Sequence, residues 1–153
     1  MARYAIRESL DIYEPRRAVR GYGASLGFSL SSCQELAIIV SELGSNIVKY
    51  GRSGAIEFQS LQDARYGVGI AIVADDVGPP FHDLSLALRD GYDDRGPIDP
   101  GLLMKRGGLG TGLGAVLRLS DSFEVEQKHE GKRITSARFL VRAPVSLKAK
   151  YGF

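Results

Sequence analysis

The residues of this chain best suited to phosphate chemistry form a glycine-rich stretch, RGGLGTGLG, at residues 106–114. Five glycines fall within residues 107–114, and an apolar run follows them. Glycine lets a backbone approach a ligand closely. N–H groups that lead into a helix attract anions, because they point the same way as the helix dipole. The stretch predicts a phosphate-binding loop, and a plain loop before a helix is an equally good interpretation of this motif alone.

A carboxylate and an amide, Glu42 and Asn46, lie four residues apart in a segment with helical periodicity. Residues at this spacing lie one above the other on a helix face. The neighbouring face is an apolar stripe, formed by Leu36, Val40, Leu43 and Ile47. Two interpretations stay open: an exposed polar pair at the side of a core helix, as is usual for Glu and Asn, or a buried pair that needs partners.

A third candidate follows a predicted buried strand at residues 66–75. The chain continues there with Asp76-Val77-Gly78-Pro79-Pro80, and an Asp followed by a Gly turn at a strand end is typical of a ligand-binding site. An ordinary Asp-rich turn is the alternative.

Other elements must position these residues. Hydrophobic periodicity, alternation and turn residues predict the elements of the chain. The first part is predicted to contain an edge strand at 5–12, a helix from 15 to 27, a helix from an N-cap within 29–32 to about 50 with Ser32 and Glu35 in capping-box register, and a strand at 55–61 in an antiparallel hairpin with 66–75. The second part is predicted to contain a short helix at 84–89, a lid-like loop at about 90–107, a helix to about 119, and a final hairpin of 122–127 with 133–141 before a tail at about 144–153.

Composition sets the class of protein. The 153 residues, 44% of them hydrophobic and 25% charged, fit one globular domain over residues 1–153. A formal net charge of +2 argues against nucleic-acid binding, and the single cysteine, Cys33, against a disulfide framework. The N-terminus is too polar for a signal peptide and no apolar run reaches about 20 residues, so we expect a cytoplasmic protein without a membrane span.

The order and spacing of three stretches resemble the GHKL family of ATP-binding domains, which includes histidine kinases, gyrase-type ATPases and Hsp90. These stretches are residues 42–50 (ELGSNIVKY), 76–80 (DVGPP) and 108–112 (GLGTG). Residues 86–91 and 107–110 resemble the small anti-sigma and switch serine/threonine kinases, the RsbT type in particular. The resemblance covers roughly residues 4–142. It implies the Bergerat fold, an α+β two-layer sandwich in which helices cover one face of a mixed, mostly antiparallel sheet.

The resemblance also implies a role for each matching residue. Asn46 would give its amide oxygen to Mg²⁺, and Glu42 would be the general base on the attacking hydroxyl. Asp76 would accept a hydrogen bond from the adenine amino group, with Gly78 letting the backbone approach the base. The residues implied for ATP phosphates are Gly108, Leu109, Gly110, Thr111, Gly112 and Lys49, although a solvated surface lysine is an equal or better interpretation of Lys49.

The implied activity is phosphoryl transfer from Mg-ATP to a serine or threonine of a small STAS-domain (anti-anti-sigma type) partner. Such a partner-switching kinase would act in signal transduction, for example a stress response. A sigma factor or a downstream phosphatase is a further possible partner, and a homodimer is possible. Two features depart from the family pattern: Pro80 replaces the last glycine of Asp-x-Gly-x-Gly, which removes an N–H, and the lid is longer than in the smallest relatives.

The main alternative is an anti-sigma-like or activator binding module whose nucleotide site is weak or structural. The presence of Glu42 argues mildly against it, because binding without chemistry does not need a base. A histidine kinase is disfavoured because His82 and His129 lie on no amphipathic dimerisation helix. A gyrase-type hydrolase is disfavoured because no transducer domain follows, and an α/β domain without a nucleotide site is the remaining alternative.

Overall fold

The computed structural model describes residues 2–79, 88, 92–93, 96–97 and 112–141. The strands in these residues are β1 (Ala2–Ile6), β2 (Gly54–Asp63), β3 (Gly67–Asp76), β4 (Tyr92–Asp93), β5 (Gly96–Pro97), β6 (Ser122–Gln127) and β7 (Lys132–Phe139). Five of them form one sheet in the order β1-β2-β3-β7-β6, and β4 pairs with β5 separately. Every pairing between the described strands is antiparallel.

The helices of the described residues are a 3-10 helix (Ser9–Ile12), α1 (Tyr13–Leu26), α2 (Leu30–Tyr50) and α3 (Leu113–Leu119). They pack on one face of the five-stranded sheet. On that face Tyr22 of α1 lies against Phe58 of β2, and Glu35 of α2 pairs with Arg138 of β7. The predicted α+β two-layer class is therefore confirmed. Within the described ranges, no helix is long and apolar enough to cross a membrane.

The core lies between α2 and the inner face of the sheet. The stripe predicted on α2 is buried throughout: Leu36, Val40, Leu43 and Ile47 are at most 1% exposed. Alternation along the strands supplies the other half of the core, in which Ile56, Phe58, Ile70, Ile72 and Ile134 are at most 1% exposed. Burial of this apolar surface is the main free energy that holds α2 on the sheet.

The ends of α1 and α2 are set by local chemistry. Gly27 ends α1 with a left-handed backbone, φ +104°, which glycine adopts at low cost. Ser29 caps α2, because its side chain accepts the N–H of Ser32 at 3.2 Å. The predicted capping box of Ser32 with Glu35 is wrong. Glu35 instead accepts a hydrogen bond from the Arg138 guanidinium. This guanidinium is buried, and a buried cation without a carboxylate costs more free energy than a helix N-terminus without a second cap.

The N-terminal prediction is also corrected, since the strand expected at residues 5–12 ends at Ile6 and a 3-10 helix follows. The Asp11 carboxylate accepts the N–H groups of Arg7 and Glu8 at 2.8 and 3.0 Å, which closes the chain into a turn. These two N–H groups lower the pKa of Asp11. The apolar spacing of this stretch predicts a strand wrongly because a side chain, rather than a partner strand, accepts from its backbone N–H groups.

Both predicted hairpins are confirmed, with β2 paired to β3 and β6 to β7. The helices at 13–26, 30–50 and 113–119 agree with the predicted ones to within a few residues. The helix predicted at 84–89, most of the lid at about 90–107 and the tail at about 144–153 lie outside the described residues.

A buried guanidinium joins three elements of the core. Arg138 of β7 is 2% exposed, and its Nη1 donates to Glu35 of α2 at 3.2 Å and to the Leu119 carbonyl at the end of α3 at 3.0 Å. The Asp121 carboxylate lies 3.9 Å from Nε and accepts the backbone N–H of Phe139. Arg138 therefore fixes α3, the helix after the glycine-rich stretch, relative to α2.

Arg138→Met is expected to lower the free energy of unfolding by about 3–5 kcal/mol, because it leaves buried partners without their cation. Urea denaturation measures the loss. The matched control is Arg133→Met, which breaks the Arg133–Asp75 pair on the solvent side of the same strand, where Arg133 is 47% exposed. That change should cost about 0–1 kcal/mol; equal losses in the two variants would contradict the role given to Arg138.

Candidate functional site

The C-terminal half of α2 carries polar side chains in its buried surface. Glu42 is 3% exposed and Asn46 is 6% exposed, and Ser41 and Ser45 are buried beside them. Of the two interpretations open from the sequence, the exposed polar pair is therefore wrong. Burying a carboxylate and an amide costs free energy unless partners or a ligand compensate. Such a cost on a core helix is typical of a functional site.

Asn46 shows this need most directly. Its side-chain Nδ2 is buried, and no hydrogen-bond partner for it exists among the residues that the structure describes. Buried amide groups are nearly always hydrogen-bonded, so one that is not calls for a missing partner. An amide offers two donors at Nδ2 and an acceptor oxygen, which suits simultaneous contact with a hydrated cation and with an anionic oxygen.

The end of α2 is packed directly on the end of β3. A Cβ atom built on Gly51 would lie 2.7 Å from the Asp76 carboxylate, and one built on Gly78 would lie 2.4 Å from the Tyr50 carbonyl. The N–H of Val77 also donates to the Ser53 carbonyl at 3.2 Å. The two segments touch backbone to backbone, and only glycine fits at the contact points.

Asp76 ends β3 with a buried carboxylate. Its Oδ1 accepts the N–H of Gly78 at 3.0 Å, and its Oδ2 lies 2.9 Å from Nζ of Lys132. Both side chains are almost fully enclosed, with 3% of Asp76 and 1% of Lys132 exposed. Lys132 also donates to the Pro79 carbonyl at 3.2 Å. The turn after β3 is thus held by its own carboxylate and by a lysine from β7.

Gly131 allows Lys132 to reach this position. Its φ of +97° turns the chain into β7, and a Cβ there would lie 2.0 Å from the Asp76 backbone oxygen. A side chain at residue 131 would be strained by its φ and would also collide with the β3 backbone.

The structure brings together two of the three stretches predicted from the sequence. Asn46 lies four residues before Tyr50, about 6 Å along the helix axis, and Tyr50 and Gly51 contact the turn that contains Asp76 and Gly78. Lys49, on the last turn of α2, is exposed. The exposure of Lys49 agrees with the interpretation of this residue as a solvated surface lysine. A contact between Lys49 and a phosphate of ATP stays a prediction.

The third stretch is described only at its end. Gly112 is the N-cap of α3 with φ +64°, and α3 packs against α2. Gly108, Leu109, Gly110 and Thr111, like Pro80, lie outside the described residues, so their predicted contacts with phosphate stay predictions.

Sequence reasoning missed Lys132, Gly51 and Gly131. A signal for Lys132 was present: in β7 the positions of one face are Lys132, Ile134, Ser136 and Arg138. Charged residues at both ends of the strand face that carries Ile134 indicate buried cations that need carboxylates. The pairing with Asp76 depends on strand register, which a single sequence does not show.

The described residues offer little support for thiol chemistry or for a metal site built from His, Cys, Asp and Glu. Burial raises the pKa of the Cys33 thiol, which keeps it protonated and unreactive at neutral pH. Within the described ranges, no three His, Cys, Asp or Glu side chains are grouped so as to hold a metal ion. A cavity of about 160 Å³ lies between the 3-10 helix, α1 and α2, and neither Glu42 nor Asn46 lines it.

Comparison with known proteins defines the class. The family model of the histidine kinase-like ATPase domain matches residues 9–138, and the chain belongs to that family. It is 31% identical over 131 residues to the serine/threonine-protein kinase RsbT of Bacillus subtilis (strain 168), a match that covers 85% of this chain and 90% of the relative. A chain of the SiaB–SiaC complex from Pseudomonas aeruginosa shares the fold, with a TM-score of 0.59, 14% identity and 90% of both chains covered.

Gly131→Ala is expected to destabilise the protein by well over the roughly 1–2 kcal/mol of a left-handed alanine, because its Cβ meets the Asp76 carbonyl. Gly67→Ala is the matched control: Gly67 also has positive φ, +76°, but nothing lies within 4 Å of its Cβ position. Urea midpoints of the two variants measure the difference. The proposed contact is refuted if Gly131→Ala is no less stable than Gly67→Ala.

Proposed function

We propose that this protein is an ATP-dependent serine/threonine protein kinase of a partner-switching pathway. The observation that carries the proposal is the buried Glu42–Asn46 pair on a helix whose end contacts the Asp76 turn. On this proposal the base and the oxygen ligand lie on α2, and the carboxylate acceptor lies on the turn that the end of α2 contacts. The kinship with a serine/threonine-protein kinase over most of both chains supports the same activity.

Glu42 is proposed as the general base. The hydroxyl of the acceptor serine or threonine gives its proton to the Glu42 carboxylate as its oxygen attacks the γ-phosphorus, and the bond from that phosphorus to the bridging oxygen of ADP breaks. Burial at 3% exposure withholds water from this carboxylate, which favours proton transfer from the acceptor over exchange with solvent.

Asn46, Asp76 and the glycine-rich stretch are proposed to position ATP. The Asn46 amide oxygen would be one ligand of Mg²⁺, with water and phosphate oxygens supplying the others. The unpartnered Nδ2 is a donor and would bond to one of those oxygens. Mg²⁺, when bound, would neutralise charge on the phosphates. Asp76 would accept the 6-amino group of adenine, and Gly78 would let the base lie against the backbone. The N–H groups of residues 108–112, with Lys49, would bind the phosphates.

The acceptor is proposed to be a small partner protein of the STAS type. Relatives support a partner: one is named as a serine/threonine-protein kinase, and a chain with the same fold was solved within a two-protein complex. A phosphoryl group adds about −1.5 to −2 charge to the partner's surface, which changes the proteins that it binds. A sigma factor or a phosphatase would be such a downstream protein, with a stress response as a possible output.

Glu42→Gln is expected to lower the rate of phosphotransfer by about 10²–10⁴-fold, because it removes the base and little volume. ATP affinity should change by less than about threefold, since the proposed base acts in the transition state. Transfer of radiolabelled phosphate from ATP to a purified STAS-domain partner measures the rate, and calorimetry measures the affinity.

The matched control for that experiment is Glu14→Gln, an exposed glutamate of α1 outside the proposed site. This variant should transfer phosphate at nearly the rate of the unmodified protein. Undiminished transfer by Glu42→Gln would remove Glu42 from the mechanism, and equal losses in both variants would indicate an effect that is not specific to the base.

Asp76→Asn is expected to abolish the thermal stabilisation by adenine nucleotides. Ligand at about a hundred times its dissociation constant adds about 2.7 kcal/mol, which for a domain of this size raises Tm by roughly 5–10 °C. The unmodified protein should therefore shift with Mg-ATP and Mg-ADP and not with Mg-GTP. Asp76→Asn should show no shift relative to its own ligand-free Tm.

Asp75→Asn is the control, because Asp75 points to the outer face and pairs with Arg133 at 2.7 Å. It should keep the full shift. If the unmodified protein gives no shift with any nucleotide, the kinase proposal gives way to a binding module without a working nucleotide site. If Asp76→Asn keeps the Tm shift with adenine nucleotides, residues other than Asp76 recognise adenine.

A further inference from the structure

Lys132 lies beside Asp76, the residue proposed to accept a hydrogen bond from adenine. It opens β7 directly opposite Asp76 in the register of the sheet. Its Nζ lies 2.9 Å from Asp76 Oδ2 and 3.2 Å from the Pro79 carbonyl. The lysine therefore contacts both ends of the turn that follows β3.

Stability alone is a weak reason for a buried cation here. A buried ion pair is often no more stabilising than well-packed apolar residues, because desolvation of both charges offsets their attraction. Strands β3 and β7 are also joined one residue away by the exposed Arg133–Asp75 pair. The inner pair thus adds charge to a place where strand pairing does not depend on it.

Asp76 and Lys132 lie so close together that a ligand bonded to one side chain also contacts the other. Carboxylate oxygens accept about four hydrogen bonds in total, and the Asp76 contacts with Gly78 and Lys132 leave acceptor capacity. Because Nζ and Oδ2 are 2.9 Å apart, a planar group that donates to Asp76 presents its next edge atom to Lys132. An ammonium group can only donate, so that next atom must be an acceptor.

We propose that Lys132 determines base specificity together with Asp76, an inference that rests on the proposed ATP site. Asp76 accepts from the 6-amino group of adenine while Lys132 donates to the adjacent N1. The pair reads the Watson–Crick edge of the base as one donor beside one acceptor. A carboxylate alone would read only the amino group.

The test compares Mg-ATP with 1-deaza-ATP, in which a C–H replaces N1, by calorimetry. The unmodified protein should bind the analogue roughly 10- to 100-fold more weakly, the range expected for one hydrogen bond to a charged group. 7-Deaza-ATP, altered on the opposite edge, should bind like ATP. In Lys132→Met the ATP and 1-deaza-ATP affinities should become equal, whereas Arg133→Met should keep the discrimination.

The comparison of ligands on the unmodified protein holds even where Lys132→Met does not fold. If that protein binds ATP and 1-deaza-ATP within about threefold of each other, Lys132 is not a base-reading residue. The proposed kinase function survives that result when ATP-dependent phosphorylation of the partner is intact. Discrimination that persists in a folded Lys132→Met also overturns the inference, and a protein that binds no adenine nucleotide overturns both proposals.

Discussion

The arrangement of the site depends on one buried contact, the ion pair between the last residue of β3, Asp76, and the first residue of β7, Lys132. Neither charge is tolerable in the interior without the other. The pair forms only if the β3–β7 register is correct, if Gly131 turns the chain with positive φ, and if Gly51 leaves room for the carboxylate. The β3–β7 register, the turn at Gly131 and the end of α2 therefore meet at this pair.

The α2 helix combines two demands that usually conflict. One face supplies the largest part of the core, with Leu36, Leu43 and Ile47 almost fully enclosed. The adjacent surface buries Glu42 and Asn46, whose polar groups must lose water for the helix to pack. Natural proteins accept such local costs at functional sites, where a polar group must be held rigidly and away from water. The orphaned nitrogen of Asn46 is the clearest mark of this cost.

The two ends of β7 each carry a buried cation with a different role. At its start, Lys132 serves the proposed nucleotide site. Near its end, Arg138 joins α2 to α3 through Glu35 and the Leu119 carbonyl. The helix after the glycine-rich stretch and the turn after β3 are thus both held against α2, one through a guanidinium and the other through close glycine contacts. A rigid α2 would keep the base, the phosphates and the reacting hydroxyl in register during phosphoryl transfer, whose catalysis depends mainly on positioning.

The sequence by itself determined the elements and the candidate residues. Periodicity located α2, both hairpins and α3, because the pattern of burial repeats along each element. Motif spacing identified Glu42, Asn46, Asp76 and the glycines, and the family assignment that followed is confirmed. Local patterns failed where a side chain made a distant contact: Glu35 joined Arg138 instead of the helix cap, and Asp11 closed a turn instead of a strand continuing. Only the tertiary structure decided that Glu42 and Asn46 are buried and that Lys132 faces Asp76, because burial and register arise from contacts between residues distant along the chain.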